Sequence, residues 1–273
     1  MDRIATIKRT KEILDKYQFR MKKNYGQNFM IVPKVPLLIA SNPILDSQTT
    51  VIEIGPGAGA LTQCLLEKVK RVVCYEIDKE LIPILENELC EYPNLEIHNQ
   101  DFLKVNLDEF QDEKIVIVSN LPYYLTSEII IKALSTSKKI DVIAMMQKEV
   151  AKRILTASGG KEENELTLYS KYFAEVSKLT DVSKNDFFPR PNVDSMVLIF
   201  KKKDAPSDKF INGIKVIFSQ RRKTIYNNLK QYLNDEQRVL ALLGELNVER
   251  NKRVEELDWE TILKLIDKLE EAK

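Results

Sequence analysis

Short apolar runs alternate with helix-spaced segments along the first half of this chain, and that alternation restricts the fold more than any other feature. Thr49–Ile54, Val72–Ile77, Leu95–His98, Lys114–Ser119 and Asp141–Met146 read as strands. Residues 59–69, 79–91 and 126–136 between them read as helices. Runs such as Ile115-Val116-Ile117-Val118 are apolar at every position rather than at every second one. A strand of that kind needs cover on both faces, which a parallel sheet between two helical layers supplies. The expected fold class is therefore α/β, an open parallel sheet with helices on both faces.

The flanking segments extend this plan. Residues 1–20 place Ile4, Ile7, Ile13, Leu14 and Tyr17 at a loose helical spacing. Leu179–Val182 and Ser195–Phe200 read as an antiparallel hairpin at the sheet edge, closed by the proline-rich Phe187-Phe188-Pro189-Arg190-Pro191. Lys201–Pro206 reads as a linker. Beyond it the pattern is helical over 208–232, 235–246 and 258–271, with Asn234 and Gln237 spaced as a capping box. Two domains are expected, 1–203 and a small all-helical 204–273.

Composition removes several function classes. No apolar run approaches a membrane span, and the N-terminus lacks the layout of a signal peptide. Cys64, Cys74 and Cys90 are scattered without metal-ligand spacing, so a reducing cytoplasm is the expected location. His98 is the single histidine, which excludes an HExxH zinc site or a histidine-rich metal cluster. It lies within an expected strand and reads as structural. The net charge of +1 conceals a segregation. Residues 1–34 hold nine Lys or Arg against three acids, and residues 201–230 hold nine against two, so the remaining body is acidic. Two basic segments on an acidic body suit a polyanion, although such runs are also found on plain solvated faces.

The polar residues at the strand ends carry the chemistry. Glu53-Ile54-Gly55-Pro56-Gly57-Ala58-Gly59-Ala60 follows one strand and opens a helix, and its glycines allow a ligand close to the backbone. The spacing also satisfies the dinucleotide fingerprint, so this loop alone fits NAD or S-adenosylmethionine. Glu76 ends the next strand, where a carboxylate accepts from both ribose hydroxyls. Asp101 follows the third, placed to accept from an adenine amino group. Asn120-Leu121-Pro122-Tyr123 follows the fourth. An amide, a carbonyl aimed by the extended residue before proline, and a ring make a floor for a planar heterocycle bearing an amine. All four positions fall in the crevice where open α/β sheets bind ligands.

In these stretches the chain resembles class I S-adenosylmethionine-dependent methyltransferases, and within them the rRNA adenine N6-dimethyltransferases. The resemblance rests on Tyr25-Gly26-Gln27-Asn28-Phe29, Glu53–Thr62, Asn120–Tyr123, Met146-Gln147-Lys148-Glu149-Val150 and Phe187–Ser195. Asn-Leu-Pro-Tyr, and Phe218–Thr224 with Asn228-Leu229, resemble the KsgA type acting on small-subunit rRNA more than the Erm type acting on large-subunit rRNA. Asn164-Glu165-Leu166-Thr167 lacks the glycine common in the family, and Gln63 replaces a frequent acid.

The resemblance implies a Rossmann-like class I methyltransferase sheet, S-adenosylmethionine as cofactor, and the small ribosomal subunit and its rRNA as partners of a monomeric, cytoplasmic enzyme. It implies that Asn28, Met30, Gly55, Gly57, Glu76, Ile77, Asp101 and Asn120 contact the cofactor. The Asn120 side-chain oxygen and Leu121 carbonyl are then expected to accept the N6 hydrogens, with Pro122 shaping the turn and Tyr123 and Phe187 on either face of an extruded adenine. Lys22, Lys23, Arg190, Lys201–Lys203, Arg221, Arg222 and Lys223 are expected to hold RNA. A ribosome-assembly factor on the same scaffold is a competing reading, and an NAD-linked oxidoreductase a weaker one, since Asn-Leu-Pro-Tyr has no part in hydride transfer.

Overall fold

Strands that are apolar on both faces form the centre of the computed structural model, which describes residues 3–22, 25–156, 164–203, 207–220 and 222–271. In chain order the elements are α1 (Ile7–Lys16), β1 (Phe29–Met30), α2 (Lys34–Ala40), β2 (Thr50–Ile54), α3 (Ala60–Leu66), β3 (Arg71–Tyr75), α4 (Ile82–Glu88) and β4 (Leu95–His98). Then follow β5 (Ile115–Asn120), α5 (Thr126–Ser135), β6 (Ile140–Gln147), α6 (Lys148–Thr156), α7 (Glu165–Phe173), β7 (Ala174–Val182), β8 (Phe187–Phe188) and β9 (Ser195–Lys202). The chain ends with α8 (Asp208–Ile217), α9 (Ile225–Leu233), α10 (Glu236–Glu245) and α11 (Trp259–Glu271).

Seven strands order as β4-β3-β2-β5-β6-β9-β7. The first five are parallel, and β9 and β7 add the antiparallel edge hairpin that the sequence suggests. Alternate residues of each strand enter opposite layers. Ile52, Val73, Ile115 and Ile117 pack toward α5, α7 and the C-terminal helices. Val51, Val72, Val116 and Val118 pack toward α1, α2, α3 and α4. Both layers are apolar, which is why these runs show no alternation in sequence.

The C-terminal helices share the first of these cores. Phe210 of α8 stacks on Tyr172 of α7 with centroids 3.5 Å apart, and Trp259 of α11 meets Phe210 edge-on at 6.2 Å. Gly213 lets α8 and α11 approach, because a Cβ there would lie 2.6 Å from the Ile266 side chain.

Three sequence expectations change. The helix expected over 208–232 is two, α8 and α9, and Asn228 on α9 donates through Nδ2 to the Ile217 carbonyl at 2.7 Å, closing the end of α8. Asn234 does not open α10. It closes α9 in the left-handed region at φ 51°, and Asp235 caps α10 by accepting from the Arg238 N–H. The expected linker begins too early, since Lys201 and Lys202 belong to β9; residues 204–206 lie outside the described residues. Lys202 is buried and its ammonium donates to the carbonyls of Thr136 and Lys138. Desolvation lowers its pKa to about 8. The two departures from the family pattern find local partners. Asn164 and Thr167 form a reciprocal capping box on α7, and Gln63 accepts from the Ile4 N–H at 3.0 Å.

Candidate active site

Four strands end at one crevice and bring the polar residues of their C-terminal ends together. β2 delivers Gly55, β3 delivers Glu76, β4 leads to Asp101, and β5 ends in Asn120. The pocket there, about 1150 Å³ with its open mouth, is lined by these residues and by Asn28, Met30, Gly57, Ile77, Leu121, Pro122, Tyr123 and Phe187. Apolar walls with a few convergent polar groups are the form that small-molecule sites take.

Backbone geometry makes the pocket. Gly55 and Gly57 have φ of 63° and 60°, the left-handed region that side-chain-bearing residues rarely adopt. A Cβ at Gly55 would meet nothing within 4 Å, so the glycine faces open space, whereas one at Gly57 would lie 3.1 Å from the Phe29 ring. Gly59, at φ 90°, precedes α3 as its N-cap.

Glu76 is buried, and its carboxylate accepts from the Asp78 N–H at 2.9 Å and the Gly57 N–H at 3.4 Å. Desolvation raises its pKa to about 7 against the lowering pull of those N–H groups. A carboxylate so held suits a vicinal diol, whose two hydroxyls can supply further donors. Its neighbour on the Gly-rich stretch, Glu53, is fully buried beside the Cys74 thiol at 3.7 Å, and desolvation raises it to about 8. Asp101 caps the 3-10 turn Phe102–Lys104 through its Oδ1, which accepts from the Leu103 N–H.

At the other wall, Asn120 donates through Nδ2 to the Asn28 carbonyl at 3.3 Å. That contact turns Oδ1 to the opposite side of the amide, as an acceptor. Pro122 is extended at ψ 127°, and Tyr123 begins a 3-10 turn before α5. The Tyr123 hydroxyl bonds Ser195 Oγ at 2.9 Å, which fixes the ring from its far end. Phe187 is buried in β8 opposite Met30 of β1, where it closes the pocket from the antiparallel pair.

The basic candidates divide. Arg190, Arg222 and Lys223 are exposed, while Lys23 and Arg221 lie outside the described residues. Lys22 turns inward, with its ammonium 2.7 Å from Asp78 and 2.9 Å from Glu80. Lys202, expected on the same surface, is buried as described. His98 is structural: it stacks on Tyr75 and bonds Glu96. Tyr25, Gln27, Gln100, Leu103 and Tyr124 line the pocket without having been singled out. Tyr25 and Gln27 lay within a quoted motif, but Gln100 sits in a loop and Leu103 and Tyr124 in short 3-10 turns, with no pattern to mark them. No group of side chains that could hold a metal occurs among the described residues.

The model of the family described as ribosomal RNA adenine dimethylase matches residues 18–271. The chain belongs to this family. As a ribosomal RNA adenine dimethylase it is a methyltransferase that takes its methyl group from S-adenosylmethionine, and the Gly-rich loop and Glu76 carboxylate fit that nucleoside. Among similar proteins, a ribosomal RNA small subunit methyltransferase A of Staphylococcus carnosus is 43% identical over 85% of this chain and 83% of its own. One from Staphylococcus aureus (strain JH9) is 40% identical over 97% of this chain and 95% of its own. The crystal structure of a dimethyladenosine transferase from Plasmodium falciparum superposes with a TM-score of 0.69 at 28% identity, covering 89% of this chain and 98% of that one. The 23S rRNA methyltransferase ErmE gives 0.61 at 28% identity, covering 89% and 99%.

Proposed function

We propose that this dimethylase converts two adjacent adenosines near the 3′ end of small-subunit rRNA to N6,N6-dimethyladenosine during subunit maturation. In this reading Asn28, Met30, Gly55, Gly57, Ile77 and Asp101 surround the methyl donor while Glu76 accepts from its ribose. Asn120 lies between donor and target. The donor supplies a methyl group on a sulfonium, and the protein's work is alignment, because adenine N6 is a weak nucleophile whose lone pair is delocalised into the ring.

Asn120 Oδ1 and the Leu121 carbonyl accept the two N6 hydrogens. Both contacts strengthen as N6 gains positive charge, so they favour the transition state over the bound substrate. No separate base is needed, because the cationic product loses its proton readily to solvent. Tyr123 stacks on the extruded adenine and Phe187 closes the other face. Arg190, Arg222 and Lys223 hold phosphates, which fits the backbone-and-shape recognition of A-form RNA. The observation that carries this reading is the Asn120 amide, anchored by its nitrogen to the wall that holds Asn28 and free to accept on the other side.

The choice of the small subunit is supported by the two near-full-length relatives named for it, at 43% and 40% identity, against 28% for ErmE. Unmethylated small and large subunits, incubated separately with protein and labelled methyl donor, test it. Label is expected in the small subunit at adjacent adenosines; label in the large subunit alone overturns the assignment.

A further inference from the structure

Asp78 sits two residues beyond Glu76 and is 1% exposed, yet the reaction as derived gives it no part. A buried carboxylate is costly unless several donors meet it. Here three do. Oδ1 accepts from the Lys22 ammonium at 2.7 Å and the Glu80 N–H at 3.1 Å, and Oδ2 accepts from Gln27 Nε2 at 2.8 Å. Burial pushes Asp78 up, but Lys22 and Gln27 outweigh it, and the carboxyl titrates below its ordinary value. The charged form is therefore the working one.

The two ends of this cluster point at different substrates. Toward the donor, the Asp78 N–H holds the Glu76 carboxylate at 2.9 Å. Toward the target base, Gln27 is held at both ends of its amide, by Asp78 and by the Lys22 N–H at 2.7 Å. Gln27 is followed by Asn28, whose carbonyl orients the Asn120 amide. We infer that Asp78 is a positioning residue for methyl transfer, which through Lys22 and Gln27 fixes the segment that aims Asn120 while its backbone holds Glu76. This inference rests on the role given to Asn120 above. It also takes Lys22 out of the RNA-holding surface.

The test uses full-length protein and whichever unmethylated subunit the wild type methylates, so a large-subunit preference overturns the proposed target without deciding this inference. Asp78→Asn keeps the backbone N–H to Glu76 and the side-chain shape but loses the buried one of the two charges that hold Lys22, leaving the half-exposed Glu80. It is expected to lower kcat about 30-fold, as small misplacements of reacting groups do, while KM for the methyl donor rises no more than about threefold. Gln27→Ala, at a half-buried position, is expected to lower kcat about tenfold, and the double variant to be no worse than about Asp78→Asn alone because both act through one link. Lys22→Met is expected to lower kcat and to leave the salt dependence of RNA binding unchanged. Losses that multiply in the double variant, or a fall in melting temperature with kcat intact in Gln27→Ala, overturn the inference. A reduced salt slope for Lys22→Met also counts against it.

Discussion

Residues 1–34 and 201–230 carry nearly the same excess of positive charge, yet the fold uses them differently. In the first segment Arg3 meets Glu67 at 2.7 Å, Arg9 and Lys16 both meet the buried Glu88, and Lys22 meets Asp78. These four cations fasten the N-terminal segment to the acidic body, while Lys11, Arg20 and Lys34 are exposed without an ion pair among the described residues. In the second, Lys209 and Lys230 pair with Asp267 and Glu236, but Lys201, Lys215, Arg222 and Lys223 are exposed and have no ion-pair partner among the described residues. Charge density in a sequence thus counts cations without showing which ones the fold has already used. Only the second kind remains available to a polyanion.

Neutralising the second kind should show in RNA binding. With both Arg222 and Lys223 replaced by Gln, rRNA affinity at physiological salt is expected to fall about 20-fold, and the slope of log affinity against log salt by about 1.5, the release expected for two phosphates. Filter binding across a salt series measures both, and an unchanged slope would make these residues an ordinary solvated face. The first segment should instead respond in stability. Glu88→Gln removes the buried charge that Arg9 and Lys16 share, and an unfolding free energy lower by about 2 kcal/mol is expected, below the usual cost of breaking a buried pair because both cations are partly exposed and Arg9 keeps Glu12.

The pH dependence of that loss has a definite sign. Burial pushes Glu88 up, but Lys16, Tyr17 and Arg9 outweigh it, and its folded pKa lies below 4.5. A depressed carboxylate contributes stability that is present above its unfolded value and lost as pH falls through the folded one. The wild type and Glu88→Gln should therefore differ at neutral pH and converge in acid. A gap in denaturation midpoint that persists unchanged below pH 3 would break the contrast between the two segments.

The strand ends were legible for a local reason. Gly55, Glu76 and Asn120 each follow a largely apolar strand and Asp101 follows the short mixed strand Leu95–His98, and the register of parallel strands turns four sequence positions into one crevice. The β1–β8 pair left no such trace, because Phe29–Met30 and Phe187–Phe188 are two-residue strands joined across the length of the domain. The break between α8 and α9 was hidden for a related reason. No glycine or proline marks Phe218–Thr224, and the end of α8 is closed by Asn228 from the following helix. Lys202 misled because a Lys-Lys-Lys run reads as solvated linker, and only the carbonyls of Thr136 and Lys138 explain its burial. In the site, the expected residues gathered in one pocket, but nothing in the local pattern foretold that Lys22 would be held by Asp78.

In the proposed reaction Asn120 bridges donor and target, and its main work is to align the adenine amine. Asn120→Ala, assayed by single-turnover transfer to unmethylated subunits alongside calorimetric binding of S-adenosylmethionine, tests it most directly. Transfer is expected to fall by at least about 1000-fold, with donor affinity within about threefold of wild type. Transfer at near wild-type rate would remove Asn120 from that role.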